Sequence, residues 1–289
     1  MLNFEILAMG PIEPSGLDVR YTPGRLIVRN SCMETLINAL WHARVSAFGA
    51  QGRAVFDGRL FRLSGFQQAD NRLAIDLEDT SYREYIGTAA RDFYRLYPQE
   101  FLAQPLAVCI ALTTADGKLI VEKRRAIDPY RGEYHVIGDF LERDLDFDAT
   151  GRPDPFGAIL REVREEIGIT LERGNVVCAG LVRNRLIPHP ELCFRAPVPE
   201  SFDEIAGALH ARRADQEIDE LVGVDDTPDG LARFILDVHD TIVATGEACL
   251  LLHGSHAFGP GWFEETMHAL SLRSCVWYNQ PSIKITTRR

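Results

Sequence analysis

Glu162, Glu165 and Glu166 stand at i, i+3 and i+4 within Arg161-Glu162-Val163-Arg164-Glu165-Glu166-Ile167-Gly168-Ile169. On a helix that spacing puts three carboxylates on one face. Like charges held so close raise one another's pKa, from which an ordinary structural helix gains nothing. A divalent cation removes the conflict. Carboxylate oxygen is the ligand type that Mg²⁺ or Mn²⁺ prefers, and Mg²⁺ commonly completes its octahedron with water and substrate phosphates. An ion held there would neutralise a diphosphate, polarise its P–O bond and orient an attacking water. The competing account is a solvated Glu/Arg helix held by i,i+4 pairs of about 0.3 kcal/mol each. Six fixed positions at about one in twenty each would coincide by chance at ~10⁻⁸ per start site, which favours the metal helix.

The elements that must position this helix are legible around it. Asp154 is a good N-cap, Pro155 suits the first helical position, and Gly168 fits the C-terminal cap. Ala158, Leu160, Val163 and Ile167 give the helix an apolar side. Upstream, the apolar run 106–112 predicts a strand covered on both faces, and Asp116-Gly117 a hairpin turn into 118–123. A short strand is expected over 134–137 and a polar surface loop over 143–154. Downstream, strands are expected at 175–183, 191–197 and 217–224, with helices at 202–211, 228–236 and 261–271. The first hundred residues predict strands at 4–8 and 25–29, a Ser31-capped helix over 32–47, and a strand pair at 59–66 and 72–78. A helix over 82–97 follows. Pro98 and Pro105 bracket a boundary. The pattern implies an α/β (α+β) sandwich over 104–289 with a smaller N-terminal α+β domain over 1–103.

Composition sets the class. The 46% hydrophobic content supports a packed core, and the net charge of -11 argues against general nucleic-acid binding. No apolar run approaches the roughly 20 residues of a membrane span, and the start Met-Leu-Asn-Phe-Glu lacks a signal-peptide pattern, so a cytoplasmic protein is expected. Cys32, Cys109, Cys178, Cys193, Cys249 and Cys275 show no CxxC spacing and are expected as reduced thiols, four of them inside apolar runs. His135 lies near the Gly138 loop, where a structural role is expected before a catalytic one.

Residues 161–169 resemble the second half of the Nudix hydrolase signature, Gly-x5-Glu-x7-Arg-Glu-U-x-Glu-Glu-x-Gly-U with U aliphatic, at every fixed position. The resemblance implies a Nudix fold and a Mg²⁺ (or Mn²⁺) cofactor. It makes Glu162, Glu165 and Glu166 metal ligands or the general base, with Arg161 orienting a glutamate through an ion pair. Gly138 joins the metal site as the start of Gly138-Asp139-Phe140-Leu141-Glu142, which looks like the family's Gly-Gly-x-x-Glu loop with Asp139 in place of the second glycine. The gap from Glu142 to Arg161 is longer than usual, so Asp144, Asp146, Asp148 and Asp154 all compete for the role of the upstream glutamate.

A second resemblance concerns substrate. Thr80-Ser81-Tyr82-Arg83-Glu84-Tyr85-Ile86-Gly87-Thr88, the strand at Pro105-Leu106, and Leu181-Val182-Arg183-Asn184 are similar to the Nudix hydrolases that split UDP-glucose and UDP-galactose into UMP and sugar 1-phosphate. That similarity implies a nucleotide-sugar substrate. Tyr82 and Arg83 have the chemistry for uracil stacking and phosphate contact, against helix capping and packing. Arg124 and Arg125 would clamp a diphosphate, and Arg183 and Asn184 would add contacts, against solvated strand ends. ADP-ribose or another nucleoside diphosphate derivative is the alternative substrate; a catalytically silent nucleotide-sugar-binding module is the alternative class.

Overall fold

In the computed structural model, residues 2–50, 52–124, 132–211 and 218–278 are described, with side chains to 210 and 273 in the last two segments. The N-terminal part contains β1 (Phe4–Ile12), β2 (Leu17–Tyr21), α1 (Ser31–Gly49), β3 (Arg59–Ala69), β4 (Arg72–Ser81), α2 (Tyr82–Ala89) and α3 (Arg91–Tyr94). The middle part runs β5 (Ala107–Thr113), β6 (Lys118–Arg124), β7 (Tyr134–His135), β8 (Ile137–Phe140) and α4 (Pro155–Glu166). The chain continues through β9 (Val177–Asn184), β10 (His189–Pro197), α5 (Phe202–Ala211), β11 (Ile218–Asp225), α6 (Pro228–Val238), α7 (Ala244–Phe258) and α8 (Pro260–Tyr278).

The larger sheet has the order β1-β9-β10-β5-β6-β11, with β7 beside β6 and β8 beside β5. β10 and β5 run parallel. A smaller sheet, β2-β4-β3, pairs β2 with β4 in parallel and β3 with β4 in antiparallel. Alternating strand residues split the larger sheet between two cores. Val108, Ile110 and Leu112 of β5 meet Val163 and Ile159 of α4, and the same core takes in Leu73, Ile75 and Leu77 of β4. Cys109 and Ala111 point the other way, into a core with Leu250 and Leu251 of α7 and Leu231 of α6. The mixed α/β sandwich follows from these two buried faces.

Several sequence expectations change. β1, placed with the N-terminal unit, hydrogen-bonds along β9 in the larger sheet. Residues 25–29 are not a strand: Leu26 and Val28 are exposed, while the Arg29 side chain is drawn into a buried ion pair with Glu84 at 2.6 Å. Asn30 rather than Ser31 caps α1, its side chain accepting from Met33 N. The helix expected over 82–97 breaks at Ala90, whose extended backbone lets Phe93 of α3 enter a small core with Met33 and Ile37. α7 was not anticipated. Residues 244–254 are buried all round, so no 3.6-residue polarity pattern marks the helix. Among the described residues, no helix is long and apolar enough to cross a membrane.

Candidate functional site

α4 begins at Pro155, as expected, but Asp154 makes no side-chain cap; its carboxylate instead takes two hydrogen bonds from Arg173, at 2.7 and 2.8 Å. Gly168, at φ +80°, turns the chain out of the helix in a conformation that glycine adopts most easily. The apolar side of α4 packs on β5 and β8, which fixes the roll of the helix and turns Glu162 inward. β8 can lie flat on β5 because residue 138 is glycine: a Cβ there would sit 2.1 Å from Val108 O. Gly138 therefore sets the position of its neighbour Asp139.

Arg161 organises the acidic side chains around it. Its guanidinium takes Asp146 through Nε and Nη2, both at 3.0 Å, and reaches Glu162 at 2.6 Å and Glu165 at 3.1 Å. Asp146 is buried and also accepts from Glu142 N at 2.7 Å, which ties the long loop to the helix. Of the four aspartates that competed for the upstream role, Asp146 is the one that Arg161 grips in bidentate fashion. Asp144 instead pairs with Arg59, Asp148 accepts from Thr150 and Arg152 within its own turn, and Asp154 belongs to Arg173. Burial pulls the Arg161 pKa down, but the Asp146 hydrogen bonds and the Glu162 charge more than offset it, so the guanidinium stays cationic.

The glutamates do not converge on one point. Among the described residues, their oxygens form no group of three ligand atoms within 4.8 Å. Mutual repulsion and Arg161 draw them apart: Glu162 lies buried against Arg161, and Glu165 is exposed beside it. Glu166 feels the charges of Glu122, Arg124, Glu162 and Asp139, and its Oε2 is buried with no hydrogen-bond partner. Burial, then Asp139, pushes Glu162 up to about 8 against the pull of Arg161. Burial, then Glu122, holds Glu166 well above the usual range. Glu142 is raised as well, first by burial and then by the charge of Asp139, which is itself exposed. Arg124, on the same face of β6 as Glu122 and 3.3 Å from it, brings positive charge to this acidic group. Arg125 lies outside the described residues.

The structure thus gathers Arg161, Glu162, Glu165, Glu166 and Arg124 beside the Gly138 strand. Glu122, Glu142 and Asp139 join them. Sequence gave little notice of Glu122; alternation along 118–124 would have put it on the same face as Arg124. The other candidates are engaged elsewhere. Arg83 binds Asn38 at 2.7 Å and lies near Asp57 and Glu34, all on or next to α1. Tyr82 packs edge-on against Trp41 and tilted against Tyr85. Arg183 reaches Glu5 across the β1–β9 pair. Asn184 is buried and accepts from Leu186 N and Ile187 N, shaping the turn between β9 and β10. None of these contacts reaches α4. His135 lies against α7, 3.4 Å from Thr245, and burial lowers its pKa to about 4.

A pH dependence follows. A carboxyl whose folded pKa lies above its unfolded value contributes stability that is complete below the unfolded pKa and is lost as pH rises through the folded one. For Glu162 that loss runs from about 4.5 to about 8. His135, depressed by burial, has the opposite sign, and its contribution is complete above about 6.5. His239, raised by the hydrogen bond it donates to Glu247, adds a decline shared by wild type and variant. Between about pH 6.5 and 8, the Tm of metal-free protein is therefore expected to fall more steeply than that of Glu162→Gln. Parallel Tm curves for the two proteins would contradict this account of Glu162.

No protein-family model matches the chain, and no curated protein matches it. Solved structures do. The NUDIX domain of Shewanella oneidensis NrtR, in complex with ADP ribose, is 13% identical with a TM-score of 0.38, covering 57% of this chain and 97% of that one. A bifunctional NMN adenylyltransferase/ADP ribose pyrophosphatase from Francisella tularensis, with AMP and a Mn ion, is 14% identical with a TM-score of 0.38, covering 58% of this chain and 45% of that one. MutT protein from Methanosarcina mazei Go1 is 17% identical with a TM-score of 0.33, covering 58% and 94%. At these identities and scores, the geometry of the site has to carry the functional case.

Proposed function

We propose that the chain is a divalent-metal-dependent hydrolase of the Nudix type, acting in the cytoplasm on the diphosphate of a nucleotide sugar. UDP-glucose or UDP-galactose, split to UMP and sugar 1-phosphate, is the preferred substrate class. The observation that carries the reaction type is the buried, unpartnered Oε2 of Glu166 among carboxyls raised by burial and by one another. A buried oxygen without a partner is costly, and carboxylate oxygen is the donor that a hard cation takes. Glu162, Glu165 and Glu166 would hold Mg²⁺ or Mn²⁺, with the backbone at Gly138 beside them. When bound, the ion supplies charge neutralisation and Lewis acidity toward the diphosphate.

The chain's own groups do the rest. Arg161, fixed by Asp146, sets the direction in which Glu162 and Glu165 point. Arg124 faces the glutamates from β6 and would take phosphate oxygens on the side away from α4. A glutamate accepts the proton of the attacking water as its oxygen bonds to one phosphorus. The bridging P–O bond then breaks toward the second phosphate, which leaves carrying the electron pair.

The uridine part of the proposal rests on the resemblance at residues 80–88, because Arg83 is already engaged with Asn38. ADP-ribose and other nucleoside diphosphate derivatives are therefore the second arm of the test. With Mg²⁺, UDP-glucose is expected to yield UMP and glucose 1-phosphate with kcat/KM at least about tenfold above ADP-ribose, a difference of about 1.4 kcal/mol in transition-state binding. The opposite order would move the assignment to ADP-ribose-type substrates. Binding without turnover of any diphosphate would make the chain a nucleotide-binding module.

A further inference from the structure

On the face of the larger sheet away from α4, four register partners form one row: Gly138 of β8, Cys109 of β5, Cys193 of β10 and Gly180 of β9. α7 lies across this row and lowers Cys249 onto it. The three sulfurs lie within 4.8 Å of one another, with Cys109 Sγ and Cys193 Sγ 3.8 Å apart, and all three residues are fully buried. Gly180 lets α7 approach; a Cβ there would stand 3.0 Å from Leu252 Cδ1. Close packing explains small residues here, but alanine would serve that purpose without three converging thiols.

A second observation comes from the next turn of α7. His253 is buried, four residues beyond Cys249 and on the same helix face. Its Nε2–H donates to Asp226 Oδ1 at 2.9 Å, and Asp226 Oδ2 accepts from Thr113 Oγ1 at 2.9 Å. With its proton held on Nε2, the ring turns a lone pair out through Nδ1, and Nδ1 is buried with no hydrogen-bond partner. A histidine whose far nitrogen is anchored on a carboxylate and whose near nitrogen is free has the arrangement of a metal ligand.

We propose that Cys109, Cys193 and Cys249, with His253 as the fourth ligand, bind one zinc ion between the larger sheet and α7. Zn–S bonds of about 2.3 Å in a tetrahedron separate sulfurs by about 3.8 Å. The Cys109–Cys193 pair already has that spacing. His253 stands outside the three-sulfur contact and would supply the fourth ligand through its unpartnered Nδ1. Binding releases three thiol protons to solvent, leaving three thiolates, one neutral imidazole and Zn²⁺. The site then carries a single negative charge. Because the thiols are fully buried, the ion enters during folding. It ties β5, β10 and α7 together and takes no part in the hydrolysis proposed above.

The test uses the whole chain, unfolded and refolded under reducing conditions with Zn²⁺ or Co²⁺. About one zinc per chain is expected to survive chelator treatment of the native protein, and Co²⁺ is expected to give a thiolate-to-metal charge-transfer band. Carboxylates cannot produce that band, so the result is independent of the acidic site. Cys193→Ser is expected to abolish the band, and His253→Ala to weaken Co²⁺ binding at least about tenfold. Three metal-free thiols, a Cys109–Cys193 disulfide, or an unchanged band in Cys193→Ser would each overturn the proposal. If a variant fails to fold, the wild-type metal content and band still decide.

Discussion

Glu166→Gln is expected to lower kcat about a thousandfold or more on any diphosphate the enzyme accepts, with Tm in the absence of metal unchanged or higher. Both halves come from one observation. Glu166 Oε2 is buried without a hydrogen-bond partner, near Glu122 and Glu162, so ionising this side chain without a cation is costly. An amide of the same shape is neutral at every pH, so the metal-free fold does not suffer. It also removes a strong cation ligand or proton acceptor, so turnover does. The checks are steady-state rates with Mg²⁺ and thermal melts with and without it. Wild-type kcat in the variant would remove Glu166 from the mechanism, whereas a lost fold would mean that its carboxylate is structural.

Arg161→Ala is expected to cost about 3 kcal/mol of stability, because it leaves Asp146 buried without its counter-charge and Glu162 without its guanidinium partner. Asp146 and Glu162 side chains are only 2% and 7% exposed, so water cannot take over from the guanidinium. The loop that carries Glu142 should loosen as well, since Asp146 joins it to α4. Arg161→Lys keeps the charge but cannot reproduce the two-pronged contact with Asp146, and an intermediate loss is expected. Urea unfolding of the three proteins measures this. Equal stability in all three would mean that the cluster is solvated and that Arg161 organises nothing.

What could be read from the sequence was the part whose pattern is local. α4 announces itself through its apolar side, Pro155 and Gly168. The choice of Asp146 over Asp144, Asp148 and Asp154 could not be made, because its partner Arg161 is fifteen residues away across an irregular loop and only the folded loop brings one of the four to the guanidinium. Tyr82 and Arg83 looked like ligands for substrate because nothing in their own segment reveals that α1 lies alongside and offers Asn38. α7 left no periodic trace because its neighbours cover every side. The cysteine trio was invisible for the same kind of reason: residues 109, 193 and 249 meet only through strand register and the helix laid over it.

The place of β1 has a consequence for how the chain reaches its final state. Phe4 pairs with Asn184 and Ile12 with Cys178, so β1 waits for well over a hundred residues of intervening chain before its neighbour exists. Until then its backbone groups are open to other chains, and once β9 has formed, so is the bare margin of β9. The small sheet built by β2, β3 and β4 lies between these two partners in sequence and can order first. Synthesis of this protein is therefore a closure problem. Pairing of β1 has to wait for β9, and any delay in it offers two unpaired edges for aggregation.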